Sequence, residues 1–176
     1  MPCLMLKEVP PYECLQEAVE RMPGVDPQVI EVFLNLLQTG DVASGGEEAF
    51  LAAYGLNQAR LIILGILDGC GQVGLRSSEL ASHAKVSRAT ITGLLDTLEK
   101  AGHITRAPDP TDRRASTVRI TLQGQALLHK VQPLLMKWAE GILSDLSAKE
   151  RTQLLKLLRK TQAAFSTRIQ SKVHAS

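Results

Sequence analysis

The run Ser87-Arg88-Ala89-Thr90-Ile91-Thr92 places hydroxyls, a guanidinium and one small side chain where a helix is expected to begin. Ser87 is a strong N-cap type, because its hydroxyl oxygen can accept one of the N–H groups that a helix start leaves unpaired. The other free N–H groups and the positive dipole end suit an anion or a polar edge. Arg88, Thr90 and Thr92 can exchange hydrogen bonds there, and Ala89 permits close approach or contact with a methyl group. A helix about 10–12 Å across fits the roughly 12 Å major groove of duplex DNA, so this helix start has the chemistry of a base and phosphate reader. The plainer alternative makes Ser87 a cap alone and Thr90 and Thr92 ordinary exposed positions. Capping leads for Ser87, and DNA contact leads for Arg88 and Thr90.

A second concentration is Pro108-Asp109-Pro110-Thr111-Asp112-Arg113-Arg114, a turn-rich and charged tip. Adjacent guanidinium groups on a hairpin suit a narrow minor groove, where the negative potential is strongest. Asp112 repels DNA unless it orients Arg114 two residues on, which a charge-assisted hydrogen bond would do. The competing reading is a solvated turn with an ion pair worth less than about 1 kcal/mol.

These residues need elements to carry them, and the pattern supplies several. Pro10-Pro11 closes an extended arm, and a short helix from Tyr12 to Met22 stops at Pro23-Gly24. Asp26 caps a helix with Pro27 in its first turn and Ile30, Phe33, Leu34 and Leu37 at helical spacing. Gly40 is expected to end it, and Thr39 to Glu48 reads as a loop. Asn57 caps the next helix, running to Asp68, before Gly69, Gly71 and Gly74 break the chain. Ser77 caps a short helix to Ala84, and only Lys85 and Val86 separate it from the Ser87 helix. That helix ends at Ala101, with Gly102 following. A short strand then starts at Ile104, and Val118, Ile120 and Leu122 alternate as a second. Thr121 caps a long helix striped by Leu127, Val131, Leu134, Leu135, Trp138 and Ile142, kinked by Pro133. Ser147 to Glu150 is a capping box opening a last helix, with Leu154, Leu155, Leu157 and Leu158 on its buried side.

Helix, short helix, tight turn, helix and two-stranded hairpin make a mainly α winged helix-turn-helix. Its small two-stranded antiparallel wing must lean on helices, since an isolated hairpin is marginal in water. Three regions follow: 1–50 as arm and dimerisation helix, 51–122 as the winged helix-turn-helix, and 123–176 as C-terminal dimerisation helices.

Composition narrows the class. With 176 residues, 44% hydrophobic and 22% charged, the chain can bury a core without staples. Aromatics at 3% disfavour single-strand nucleic-acid readers, which stack bases on rings. Cys3, Cys14 and Cys70 form no C-x-x-C, and His83, His103, His129 and His174 lack metal-ligand spacing, so neither metal nor cofactor is expected. No catalytic fingerprint is present. The net charge of +2 hides an asymmetry. Residues 1–75 carry three basic and ten acidic side chains, whereas 120–176 carry nine basic and three acidic. An acidic front and a basic back fit a polyanion partner, or merely a solvated basic helix. The start of the chain lacks a signal-peptide pattern and no apolar run could span a bilayer, so a cytoplasmic location without membrane contact is expected.

The stretch from Asp109 to Thr121, followed by Gly124, resembles the wing signature of the MarR family of transcriptional regulators. Glu79-Leu80-Ala81, Val86-Ser87, Thr90 to Thr92, Leu98-Glu99 and Ala101-Gly102 sit where that family has its helix-turn-helix residues. The resemblance implies a homodimer whose recognition helices enter successive major grooves of a pseudo-palindromic double-stranded operator. It matches Arg114 to a minor-groove arginine, Asp112 to its orienting partner and Arg113 to a place near the backbone. The implied DNA-binding set is Ser87, Arg88, Ala89, Thr90, Thr92, Asp112, Arg113 and Arg114. Two departures stand out: Lys85 where the family often has Gly or Asn, and an N-terminal arm longer than usual.

Dimerisation also follows from leftover apolar faces near both termini, which a second copy would bury. The expected activity is a repressor released by a small aromatic or phenolic effector. Tyr54, Arg60 and His83 are weak candidates for lining the effector cleft. Alternatives are cysteine-based redox sensing on the same fold, which the acidic neighbours of Cys14 oppose, and a winged-helix module that holds a protein partner without DNA.

Overall fold

The computed structural model describes residues 11–19, 24–71, 73–108 and 116–173. The chain divides into two compact units, Met1–Val131 and Gln132–Ser176.

In the first unit the order is α1 (Tyr12–Val19), α2 (Pro27–Ala52), α3 (Gln58–Gly69), β1 (Leu75–Arg76), α4 (Ser77–His83), α5 (Arg88–Lys100), β2 (Ile104–Pro108) and β3 (Ser116–Ile120). It ends within α6 (Leu122–Ile142), and the second unit also holds α7 (Ala148–Val173). The strands form an antiparallel sheet in the order β1-β3-β2. β1 adds a third strand to the expected wing, with Leu75 opposite Val118 and Arg76 opposite Thr117. Two residues of extended chain carry no alternation to read. Leu122, expected to alternate with the strand, instead opens α6 and is solvent-exposed.

Capping chemistry sets most helix starts. Asp26 Oδ1 accepts the Gln28 N–H at 2.9 Å, and Asn57 Oδ1 accepts the Arg60 N–H at 2.9 Å. The Thr121 hydroxyl accepts the Gly124 N–H at 3.0 Å and donates to the Gly102 carbonyl at 2.7 Å, joining the start of α6 to the end of α5. The Ser147 box is reciprocal: the Glu150 carboxylate accepts the Ser147 N–H at 2.8 Å and Ser147 Oγ accepts the Glu150 N–H at 3.4 Å. The Ser147 hydroxyl also donates to the carboxylate, and that hydroxyl bond and then the backbone one lower the Glu150 pKa. At α4 the expectation shifts by one residue. Arg76 occupies the N-cap, its N–H donating to Glu79 at 2.8 Å, and Ser77 is the first helical residue. Arg76 is already extended by pairing with β3, so the helix can begin directly after it.

The loop expected from Thr39 to Glu48 is helical: α2 runs unbroken through Gly40, Gly45 and Gly46. A glycine costs a helix interior only about 1 kcal/mol, whereas proline costs about 3, and no proline lies between Pro27 and Ala52. The C-terminal end of α2 is anchored by Leu51, which is fully buried. α6 likewise runs through Pro133.

The core of the first unit is built from Leu51, Leu56, Ile63, Leu64, Leu67, Leu80, Ile91, Leu95, Leu98, Ile104, Val118 and Val131. It joins α3, α4 and α5 to the sheet, so the helix-turn-helix and the wing strands share one apolar interior. Asp68, in the last turn of α3, accepts from Gln125 at 2.9 Å and lies 3.0 Å from His129 Nε2, both on α6. These two bonds, His129 first, hold the Asp68 carboxyl below the ordinary aspartate range. In the second unit Leu154, Leu155 and Leu157 of α7 were expected on a buried side. Within the single chain they are exposed, as are Val29, Val32, Phe33 and Leu37 of α2. Among the described residues no helix is long and apolar enough to cross a membrane.

Candidate nucleic-acid interface

The turn between α4 and α5 decides where α5 points. Its backbone follows a Schellman pattern: Val86 N–H bonds the Ala81 carbonyl at 3.0 Å and Lys85 N–H bonds that of Ser82 at 3.2 Å. This pattern needs a left-handed residue after the cap, and Lys85 supplies it with φ +53°. A non-glycine residue there carries strain. The end of α5 repeats the pattern without strain, since Gly102 takes φ +75° while His103 N–H bonds Leu98 O at 2.9 Å.

Ser87 Oγ accepts the Thr90 N–H at 3.1 Å and lies 2.7 Å from Thr90 Oγ1, so the capping role is realised and draws in the threonine hydroxyl. Thr92 Oγ1 donates to the Arg88 carbonyl at 3.0 Å. Arg88, Ala89, Thr90 and Thr92 are all exposed, whereas Ile91, Leu95 and Leu98 on the opposite face are buried. Five of the eight candidate residues therefore share one exposed helix start on a rigid support. The two threonine hydroxyls keep acceptor capacity for a ligand. The other three, Asp112, Arg113 and Arg114, lie outside the described residues.

β2 and β3 pair from Ile104 with Ile120 out to Pro108 with Ser116. Gly124 explains the glycine after the wing: a Cβ there would overlap the His103 carbonyl and come within 2.9 Å of Ile120 Cγ1. Two contacts were not anticipated. Arg106 Nη2 on β2 meets Asp96 Oδ1 on α5 at 2.6 Å, and its Nε lies 3.4 Å from Glu99 Oε2. The sequence carried a signal for them, because Asp96 and Glu99 stand three apart on a helix and Arg106 alternates with buried Ile104.

Of the weaker candidates, Arg60 donates from Nη1 to the Gly55 carbonyl at 2.8 Å. Tyr54 packs on Phe50, ring centroids 5.5 Å apart, with Lys130 Nζ 5.9 Å from its ring. His83 is exposed at the end of α4. Cys14 is exposed on α1, Cys70 is half-buried after α3, and Cys3 lies outside the described residues. Among the described residues no group of His, Cys, Asp and Glu could hold a metal ion.

The family model described as MarR family matches residues 56–116, from just before α3 to the first residue of β3. PapX of Escherichia coli, an HTH-type transcriptional regulator, is 30% identical over 117 residues, covering 66% of this chain and 71% of that protein. The chain belongs to the MarR family. YetL of Bacillus subtilis, an HTH-type transcriptional repressor, is 29% identical over 153 residues, covering 87% of this chain and 92% of that protein. These relatives are regulators of transcription and not enzymes, in agreement with the missing catalytic fingerprints. Sco3205 of Streptomyces coelicolor, a MarR family regulator solved with DNA, matches the fold with TM-score 0.68 at 20% identity, covering 80% of this chain and 89% of that one. MepR of S. aureus, also solved with DNA, matches with TM-score 0.59 at 21% identity, covering 74% and 93%. This chain is thus a MarR-family transcriptional regulator with a winged helix-turn-helix fold.

Proposed function

We propose that this regulator is a homodimer that binds a pseudo-palindromic double-stranded operator in the cytoplasm and represses transcription until a small aromatic or phenolic ligand releases it. The observation that carries the reading is the exposed first turn of α5, capped by Ser87 and backed by buried Ile91, Leu95 and Leu98. A helix start so supported enters a major groove without local rearrangement. Arg88 and Ala89 would meet base edges and phosphates, with Thr90 and Thr92 accepting through their remaining lone pairs. Arg114, oriented by Asp112, would enter the flanking minor groove, and Arg113 would lie near the backbone. The DNA held by Sco3205 and MepR supports this partner for the fold.

Residues 51–122 would form the DNA-binding region, with 1–50 and 123–176 as the dimerisation regions. The exposed apolar side chains of α2 and α7 support burial against a second copy. Twofold symmetry then spaces half-sites about 10 base pairs apart. The repressor reading draws on the name of YetL. The Phe50–Tyr54 ring pair beside the Lys130 ammonium favours an aromatic acid as effector.

Footprinting on the region upstream of its own gene, with and without a panel of aromatic acids, tests the reading. Expected are two protected half-sites, affinity falling steeply with salt as counterions are released, and weakening by Arg88→Ala and Arg114→Ala. No protection at low salt overturns DNA recognition, and wild-type affinity in Arg114→Ala overturns the wing contact.

A further inference from the structure

The Arg106 contacts join the two elements that the proposed function sends into different grooves. Arg106 sits on β2, two residues before the strand gives way to the charged tip at Pro108. Strand alternation turns it to the same side as Ile104, which is buried. Across from it, Asp96 and Glu99 stand one turn apart on α5. Its guanidinium reaches both carboxylates, Nη2 to Asp96 at 2.6 Å and Nε to Glu99 at 3.4 Å. The arginine side chain is only 23% exposed, against 60% for Asp96 and 43% for Glu99, so the cation is the enclosed member.

A planar guanidinium that is hydrogen-bonded to Asp96 and lays its Nε edge in charge contact with Glu99 is restrained in direction as well as distance, which a lysine point charge would not be. Ile104 on β2 and Leu98 on α5 are both buried, so the clasp adds a polar link to two elements that already share the apolar core. The clasp also masks charge. Without Arg106, two carboxylates would stand uncompensated on the helix that approaches phosphates.

We propose that Arg106 is a positioning residue: clasped to Asp96 and Glu99, it locks the wing to the recognition helix so that both meet DNA as one rigid unit. This rests on the DNA-binding reading and adds to it a coupling between wing and helix.

The test uses a duplex enriched from a randomised library by the wild-type protein, with affinity read by fluorescence anisotropy and contacts by hydroxyl-radical footprinting. Arg106→Ala is expected to bind about tenfold more weakly, the scale of couplings carried through intermediary residues. At saturating protein it should lose flank protection and keep the central major-groove protection. Arg106→Lys should fall between it and wild type. The charge swap Asp96→Arg with Arg106→Asp should recover both affinity and flanks. Asp96→Asn with Glu99→Gln leaves Arg106 in place and serves if Arg106→Ala lowers the melting temperature. Binding of Arg106→Ala within twofold of wild type, loss of flank and centre together, or a swap that restores melting but not the flanks each overturns the clasp. A wild-type protein that enriches no duplex overturns DNA recognition itself, a separate failure.

Discussion

Lys85 is the one described non-glycine residue with positive φ, and relieving it should stabilise the helix-turn-helix. At φ +53° its Cβ crowds the neighbouring backbone, at a cost of roughly 1–2 kcal/mol. Glycine removes that crowding but gives the unfolded chain more freedom, which takes back about 0.4–1 kcal/mol. Lys85→Gly should therefore gain about 0.5–1 kcal/mol. For a chain of this length that raises the melting temperature by roughly 1–4 °C. Lys85→Ala isolates the cause, because it also removes the charge yet keeps a Cβ in the left-handed region, so it should stay within about 0.5 kcal/mol of wild type. The assay is thermal unfolding by circular dichroism at one fixed protein concentration, since an oligomer's melting point moves with concentration. The reasoning fails if Lys85→Gly melts at or below wild type, or if Lys85→Ala stabilises as much.

Gly124→Ala drives a methyl into the His103 carbonyl and the Ile120 side chain, and should destabilise by about 1–3 kcal/mol in denaturant titration. Gly40→Ala meets nothing within 4 Å and lies inside α2, so it should stabilise by about 0.5–1 kcal/mol in thermal unfolding. Asp68 has its pKa lowered by folding, so its carboxylate adds stability that is present above the unfolded value and fades as pH falls through the folded one. Asp68→Asn should accordingly lose less than about 1 kcal/mol at pH 7, and that deficit should shrink below about pH 4 in chemical-denaturation midpoints.

Legibility followed the range of the forces. Asp26, Asn57, Ser87 and the Ser147–Glu150 box act within four residues, so their helix starts could be read directly. The tight α4–α5 turn and the alternation of β3 are equally local, and they were enough to place the exposed helix start. The unbroken course of α2 was not legible, because its glycines argue locally for a break while the burial of Leu51 acts from elsewhere in the core. Nor was the N-cap at Arg76, which depends on pairing with Thr117 far along the chain.

The amino-acid order by itself settled the helix-turn-helix, the strands of the wing and the residues offered at the start of α5, since each arises from contacts between near neighbours. Only the tertiary structure decided that β1 completes the sheet, that Arg106 clasps Asp96 and Glu99, and that the leucines of α7 stand open. Those outcomes depend on which faces of distant segments meet, and a one-dimensional pattern carries faces without saying what lies across from them.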